Sequence, residues 1–234
     1  MRIDRRAWLM VVVVAAACVV AMPVAQAAPP DGNLLPATKR LGGMTAGQLL
    51  GEETRLLVEF PVGSGPLGGG DESCFSSTGG AGVLIVWTRF EDESPAECVV
   101  KPGTPVFLFG AWVFCDEVED PPFFAVGEEE QRECALQGVE TLLEFDAILV
   151  SVDGGPAVDI GTDRYLAVSP QGTAQLPEDN IFGVDPQQMT FVTAGYVAML
   201  RPLAPGEHTI TVEIVGGPFG GATTSATISV VPGA

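Results

Sequence analysis

The sequence predicts a mostly β domain: an antiparallel β-sandwich, Ig-like or jelly-roll-like, with one N-terminal helix and one short helix in a connection. Three observations predict this class. From residue 74 onward the apolar segments are short, rich in Val, Ile, Thr and aromatic residues, and separated by frequent Gly and Pro. Several of these segments alternate apolar and polar residues, as strands with one solvated face do. Helical spacing of apolar residues occurs in only two places.

The first 27 residues have the features of a secretory signal peptide. Basic residues precede an apolar run that is shorter than the roughly 20 residues that span a membrane, and the small-x-small site Ala25-Gln26-Ala27 follows. We therefore expect a secreted protein, extracellular or associated with the cell envelope, that begins at Ala28. Arg5-Arg6 would suit the twin-arginine route, and the sequence leaves this route and general secretion open. A lipoprotein site at Cys18 is disfavoured because apolar residues continue after it.

Residues 28–44 are rich in Pro and Gly without any period, which predicts a flexible N-terminal arm. Residues 45–234 are predicted to form a single β-rich domain. Thr45 and Gln48 have the spacing of a capping box, and apolar residues then recur at helical spacing until Pro61. The second predicted helix covers residues 128–145. A mature chain of about 207 residues is long enough to bury one core without disulfides.

Eight further segments are predicted as strands. The segment that begins at His208 alternates most clearly, because Ile210, Val212 and Ile214 share one face while Thr209, Thr211 and Glu213 share the other. The eight predicted strands are residues 82–90, 96–100, 105–114, 147–154, 164–170, 190–200, 207–215 and 223–231.

The charge balance excludes two classes of partner. The whole chain has a net charge of −19, and residues 28–234 carry 8 Lys and Arg against 29 Asp and Glu, a net charge of −21. Nucleic acid is excluded because binding it requires basic surface. An anionic membrane surface would repel the chain. A glycan or a protein at the cell surface remains as the expected partner, and the oligomeric state stays open.

Four cysteines remain after residue 27, an even number that predicts two disulfides in an exported protein. Zinc is disfavoured because no Cys-x-x-Cys is present and the chain has a single histidine. We expect sequential pairing, because sequential elements tend to be neighbours in space, although four cysteines allow three connectivities. The predicted pairs are Cys74 with Cys98 and Cys115 with Cys134.

The stretch CDEVEDPPFFAVGEEEQREC, residues 115–134, has eight acidic residues among twenty and a cysteine at each end. Its weak candidate calcium ligands are Asp116, Glu117, Glu119 and Asp120. Their spacing does not fit the alternating ligands of a helix-loop-helix calcium site, and a second group around Asp153 fits a plain hairpin turn equally well. We therefore expect a disulfide-closed, solvated connection and no cofactor, with calcium as the one candidate.

No residue pattern identifies a catalytic site. His208 would have to serve any Ser-His-Asp arrangement, but it follows a turn at the start of a strand, and no Gly-x-Ser-x-Gly motif is present. Paired carboxylates could hydrolyse a polysaccharide, yet 29 acidic residues make that signal unspecific. Trp87, Trp112, Tyr165 and Tyr196 could form a sugar platform, although aromatic residues in strands usually lie in the core.

Several short motifs together resemble one family of secreted bacterial proteins, to which no activity is assigned. The most specific is Pro-Leu-x-Pro-Gly-x-His-Thr-Ile at residues 202–210, and the similarity covers roughly residues 45–232. The chain departs from the pattern at Lys101 and in the more acidic region 115–134. The resemblance implies one β-rich exported domain and no catalytic residue. The other motifs that carry it are Cys74, Val86-Trp87, Cys98, Pro102-Gly103, Val152-Asp153-Gly154, Tyr165, Ser169-Pro170, Leu176-Pro177, Asn180 and Gly195-Tyr196.

The sequence thus favours a secreted, non-enzymatic β-sandwich that acts as a surface or matrix-associated binding or structural module. The alternative is a secreted polysaccharide hydrolase that uses paired carboxylates. The two hypotheses differ in one structural requirement: the hydrolase needs two acidic side chains that converge in a concave pocket beside an exposed aromatic residue.

Overall fold

The described part of the chain contains two β-sheets that pack face to face, a separate two-stranded pair, two α-helices and a short 3-10 helix, Pro66–Gly68. The computed structural model describes residues 33–68, 72–80, 82–88 and 95–234, so the predicted signal peptide lies outside the described residues. The helices are α1 (Ala46–Glu59) and α2 (Glu128–Leu142). The strands, in chain order, are β1 (Leu34–Leu35), β2 (Arg40–Leu41), β3 (Met44–Thr45), β4 (Cys74–Ser76), β5 (Leu84–Val86), β6 (Ala96–Val100), β7 (Val106–Asp116), β8 (Ala147–Val152), β9 (Val158–Asp159), β10 (Leu166–Val168), β11 (Gly172–Gln175), β12 (Gln188–Leu200), β13 (Gly206–Val215) and β14 (Thr223–Val230).

The larger sheet has seven strands, in the order β1-β12-β7-β5-β4, and β10 and β11 pair with further parts of the long strand β12. The smaller sheet has five, in the order β6-β14-β13-β8-β9, and β2 and β3 form a separate pair. Pairing is antiparallel throughout except between β5 and β7 and between β6 and β14. The predicted class, a mostly β sandwich-type fold with two helices, is confirmed.

Both predicted helices and all eight predicted strands are present, with ends that differ by a few residues. The predicted capping box is formed: the Thr45 hydroxyl accepts from the Gln48 backbone amide, and the Gln48 side chain accepts from the Thr45 amide. The strands that the sequence did not predict are β1 to β4, β9 and β11, each of two to four residues. Such short strands lack the alternation on which sequence-based prediction depends.

The main core lies between the two sheets. Leu108 and Leu200 from the larger sheet meet Val150, Ile210 and Ile228 from the smaller sheet, and all five are buried. The opposite face of the larger sheet is covered by α1 through a second apolar cluster. Helix α2 covers the part of the larger sheet that extends beyond the end of the smaller sheet. The larger sheet is therefore enclosed on both faces.

A β-bulge at Gly110 determines which side chains of β7 face α2. Tyr196 of β12 pairs with Ala111 while the next residue, Val197, pairs with Phe109, so Gly110 is the extra residue. A Cβ atom at Gly110 would lie 2.8 Å from Ile148 of the smaller sheet, which excludes a larger residue. The bulge reverses the alternation along β7, and Val113 and Cys115 therefore face α2.

Residues 33–44 do not form the flexible arm that the sequence predicts. Leu34 and Leu35 pair with Leu200 and Met199 of β12, and the β2–β3 pair follows directly. Leu34 and Leu41 are buried. The lack of periodic apolar residues wrongly predicts flexibility here. Single apolar residues in a Gly- and Pro-rich segment are sufficient to anchor it to a sheet.

The two disulfides have the sequential connectivity that the cysteine spacing predicts. Cys74–Cys98 joins β4 of the larger sheet to β6 of the smaller sheet, and Cys115–Cys134 joins β7 to α2. Two formed disulfides fit an oxidising compartment. Among the helices that the structure describes, none is long and apolar enough to cross a membrane.

Candidate functional site

The acidic stretch at residues 115–134, called the acidic loop below, is held to the sheet by hydrogen bonds as well as by its disulfide. The backbone amide of Asp116 donates to the Phe123 carbonyl, and the Ala125 amide donates to the Asp116 carbonyl at 2.7 Å. The loop therefore returns alongside the end of β7. Its second half begins α2, where Glu128 to Glu130 occupy the first turn and suit the positive end of the helix dipole.

Glu117 is the centre of a polar network that fastens the loop to β12 and α2. Its carboxylate accepts from the Thr190 backbone amide at 2.7 Å, from the Thr190 hydroxyl, and from the Gln131 side-chain amide at 2.9 Å. Gln131 is fully buried and also accepts from Gln171. Glu117 is therefore a structural acceptor, and its oxygens already have donors.

Asp116 and Glu119 form a pair of neighbouring carboxyl groups. Oδ1 of the fully buried Asp116 accepts from the backbone amides of Val118 and Glu119 at 2.6 and 2.8 Å. The side chains of Asp116 and Glu119 are within hydrogen-bonding reach. Burial, followed by the charge of Asp116, raises the pKa of Glu119 to about 7, and burial raises the pKa of Asp116. Near pH 7 the Glu119 carboxyl therefore carries a proton in about half of the molecules.

The four weak calcium candidates do not converge on one point. Asp116 pairs with Glu119, Glu117 faces Thr190 and Gln131, and Asp120 is exposed. In the part of the chain that the structure describes, no group of three or more His, Cys, Asp or Glu side chains is placed to hold a metal ion. The second candidate group also has other partners, since both oxygens of Asp153 face nitrogen atoms of His208 and Thr209.

His208 is placed as a structural residue and not as a general base. Its Nδ1 lies 2.8 Å from Oδ2 of Asp153, and its Nε2 lies 2.8 Å from the carbonyl oxygen of Ala204. Both neighbours are acceptors, so both ring nitrogens must carry protons to satisfy them. The hydrogen bond to Asp153 raises the pKa of His208. An imidazolium without a free nitrogen cannot accept a proton from a serine.

A groove rich in aromatic residues opens where β7, α2, the acidic loop and the β13–β14 hairpin meet. It has a volume of about 300 Å³. The Trp112 and Phe114 rings are stacked with centroids 5.2 Å apart. Phe219 is 57% exposed and Leu142 is 41% exposed. We call this feature the aromatic groove; it is lined by Trp112, Val113, Phe114, Glu119, Phe123, Leu142, Leu143 and Phe219.

A second depression, of about 420 Å³, continues from the aromatic groove along α2. The two share Phe123 and Leu142, so they form one track. The second depression is more polar, with Glu130 and Glu133 on its α2 wall, and Phe124, 48% exposed, on the acidic loop. Phe123 and Phe124 thus differ, since Phe123 packs against the α2 cluster while Phe124 is half exposed.

Two groove residues are sequence candidates for other roles, Trp112 for a sugar platform and Glu119 for calcium, and the sequence predicts no apolar groove. Trp112 was considered only as one of four aromatic residues in strands, and Phe219 lies in GGPFGG, which has the composition of a turn. The large aromatic residue inside that Gly-rich turn does not by itself identify a site, because single exposed apolar residues are common on protein surfaces. Trp87 and Tyr165, two of the proposed platform residues, are buried.

Comparison of the chain with known proteins gives no match to a protein-family model, to a curated protein or to a solved structure. Functional inference therefore depends on the geometry of the site.

Proposed function

We propose that this chain is an exported, non-enzymatic β-sandwich module that binds a segment of a partner protein in the aromatic groove. One observation carries this proposal: apolar side chains from four separate parts of the chain line one open groove, with Phe219 and Leu142 substantially exposed. An exposed apolar cluster of this kind is characteristic of interaction sites, because water contact with it is unfavourable.

An elongated, mainly apolar ligand fits the groove better than a glycan does. Seven of its eight lining residues are apolar, and Glu119 is the only one with a carboxyl, hydroxyl or amide group in its side chain. Sugar recognition needs several polar groups around an aromatic platform to satisfy the hydroxyls. The continuation of the groove along α2, through Phe123 and Leu142, offers length for a peptide segment.

The hydrolase alternative requires two carboxyl groups on either side of a scissile bond, about 5–10 Å apart. Asp116 and Glu119 meet beside the groove, but they are within hydrogen-bonding reach of each other, and Asp116 is fully buried. Glu130 and Glu133 lie three residues apart on one helix and line the same wall of the second depression. Neither pair has the separation and opposed placement that the reaction needs.

Export is supported by the predicted signal peptide and by the two disulfides, which form in oxidising compartments. An extracellular or cell-envelope location follows from this proposal. The high negative charge favours a partner surface with basic residues, since like charges would oppose association.

Fluorescence anisotropy with labelled peptides tests the proposed function. The protein is the chain from residue 28 onward with its disulfides formed, and the peptides alternate Leu or Phe with Lys, with Ser or with Glu. We expect the apolar Lys and Ser peptides to bind, and Phe219→Ser to weaken binding about tenfold or more, because it removes a large exposed anchor. A glycan array on the same protein tests the competing ligand class.

Val99→Ser provides the matched control. Val99 is 64% exposed on β6, in the smaller sheet, and it does not line the groove. Binding that is unchanged by Val99→Ser and lost in Phe219→Ser supports the proposed site. Peptide binding that Phe219→Ser leaves intact, or a glycan that binds while every apolar peptide fails, overturns it.

A further inference from the structure

The aromatic groove contains one ionisable side chain, Glu119, among seven apolar residues. Such a placement is unfavourable for an isolated carboxylate, because an apolar surrounding disfavours the charged form. No Lys or Arg of the described chain lines the groove. Arg132, the basic residue of the acidic loop, pairs with Glu128 at 2.7 Å instead. The protein therefore supplies no cation of its own to the lining of this groove.

Asp116, the neighbour of Glu119 in the acidic loop, does not itself line the groove. It is fully buried, and its Oδ2 has no hydrogen-bond donor among the described residues, whereas Oδ1 has two. A buried oxygen without a donor is costly and calls for an explanation. The Asp116 and Glu119 side chains are within hydrogen-bonding reach, so a proton shared by the two carboxyl groups is the donor available to this oxygen.

A proton already neutralises part of the negative charge of these two carboxyl groups. Burial and the charge of Asp116 raise the pKa of Glu119 to about 7, so near pH 7 this carboxyl carries a proton in about half of the molecules. A bound ammonium or guanidinium group would replace this proton and bring two or more N–H donors.

The walls of the groove suit the same kind of ligand. The faces of Trp, Tyr and Phe rings attract cations through their quadrupole. Trp112 and Phe114 are stacked at 5.2 Å, and Phe123 and Phe219 line the same groove. Aromatic residues around the Glu119 carboxyl combine apolar contact for an alkyl chain with attraction for its charged end.

We infer that the aromatic groove is a subsite for a basic side chain, a lysine or arginine of the partner protein, whose charged group lies at Glu119 and whose alkyl chain packs among Trp112, Phe123 and Phe219. This inference rests on the proposed function and adds the chemical class of the residue that is recognised. It also accounts for the strongly acidic composition of the surrounding loop, which favours the approach of a basic partner.

Two small probes of similar length, the cation hexylammonium (as its chloride) and the neutral hexan-1-ol, test this subsite. Both are titrated, at matched ionic strength and about pH 8, into the chain from residue 28 onward labelled with ¹⁵N, and amide and indole shifts are followed. We expect both to shift Trp112 and Phe219, with hexylammonium about tenfold tighter. In Glu119→Gln the difference between the probes should fall to about threefold or less, because the charge that separates them is gone.

Asp120→Asn is the matched control for this variant. Asp120 lies on the same loop, is exposed and does not line the groove, so it should keep the full preference for hexylammonium. Peptides in which one Lys is replaced by norleucine show whether the cation belongs to a protein partner. Their binding should weaken by about tenfold in the unsubstituted chain and little in Glu119→Gln.

The outcomes separate this inference from the proposed function. Equal binding of the two probes to the unsubstituted chain overturns the cation subsite, while continued binding of apolar peptides leaves the proposed function standing. A preference for hexylammonium that survives Glu119→Gln also overturns the assignment of the subsite. Failure of both probes and of all apolar peptides overturns the proposed function itself.

Discussion

Two adjacent glutamates of α1 have opposite surroundings. Glu52 accepts from the backbone amide and the hydroxyl of Thr78, the latter at 2.6 Å. Glu53 is buried, and neither of its carboxyl oxygens has a partner among the described residues. Burial raises the pKa of Glu53 well above its ordinary value, because the interior of the domain favours the neutral form of this side chain.

Replacing Glu53 with Met, which has a similar volume and no polar group, should stabilise the domain by about 1–3 kcal/mol, because it removes an unsatisfied buried polar group. Glu52→Met should destabilise it by about 1–3 kcal/mol, because the Thr78 donors would lose their acceptor. Urea unfolding at about pH 7 measures both variants. If Glu53→Met destabilises the domain as Glu52→Met does, Glu53 has a hydrogen-bonding role that its surroundings do not show.

The imidazole of His208 holds the β12–β13 connection to the end of β8 through Ala204 and Asp153. Its pKa is raised by the Asp153 hydrogen bond, so its contribution to stability is fully present below its unfolded value of 6.5 and is lost as pH rises through the folded value. His208→Gln should therefore reduce the free energy of unfolding more at about pH 5.5 than at about pH 8.5. An equal loss at both values would show that the imidazole is not charged in the folded state.

At the scale of the element, the position of α2 depends on one close contact with β7. A Cβ atom at Gly138 would lie 2.6 Å from Cγ1 of Val113, a stiff side chain. Gly138→Ala should destabilise the domain by about 1–3 kcal/mol, even though Ala favours helix formation. Glu140→Ala, on the exposed face of α2, is the control and should change stability little. Thermal unfolding of the two variants would reveal whether α2 has the freedom to move away from β7.

The acidic loop is expected to have no specific need for calcium. Asp116 and Glu117 already accept hydrogen bonds, and Asp120 is exposed. Calcium should raise the melting temperature no more than sodium does at matched ionic strength, because screening of repulsion is the only effect expected. A calcium-specific rise that saturates at micromolar ion, and disappears when Asp116, Glu117, Glu119 and Asp120 become Asn or Gln, would contradict this account.

The elements that the sequence predicts well are those whose signals are local. The Thr45–Gln48 capping box and the alternation from His208 onward depend on neighbours in the chain. Strand β1 and the bulge at Gly110 depend on contacts with β12 and with Ile148, which lie far away in sequence. The aromatic groove could not be predicted for the same reason, since Trp112 and Phe219 are far apart in sequence and come together only in the folded chain.

For the whole molecule, stability should be greatest on the acidic side of neutrality. The folded pKa values of Glu53, Asp116, Glu119 and His208 are all raised, so the folded state binds more protons than the unfolded state. For Glu119 the stabilising contribution of the proton is present below about 4.5 and is lost as pH rises towards about 7. The net charge of −19 opposes compactness in the same direction.

Urea unfolding at constant ionic strength, at about pH 5, 6.5 and 8, measures this dependence. We expect the free energy of unfolding to fall across the series, and to fall less steeply in a Glu119→Gln, His208→Gln double variant. A free energy that rises from pH 5 to pH 8 would show that ordinary carboxylates with lowered pKa values dominate the titration.

The aromatic groove is the proposed binding site for a basic, apolar protein segment. The most direct measurement is chemical-shift mapping of the chain from residue 28 onward with an alternating Leu-Lys peptide. We predict saturable shifts confined to Trp112–Phe114, Glu119–Phe124, Leu142–Leu143 and Phe219, and no shift at Val99. Saturable shifts centred elsewhere on the sandwich, with the groove unperturbed, would contradict the claim.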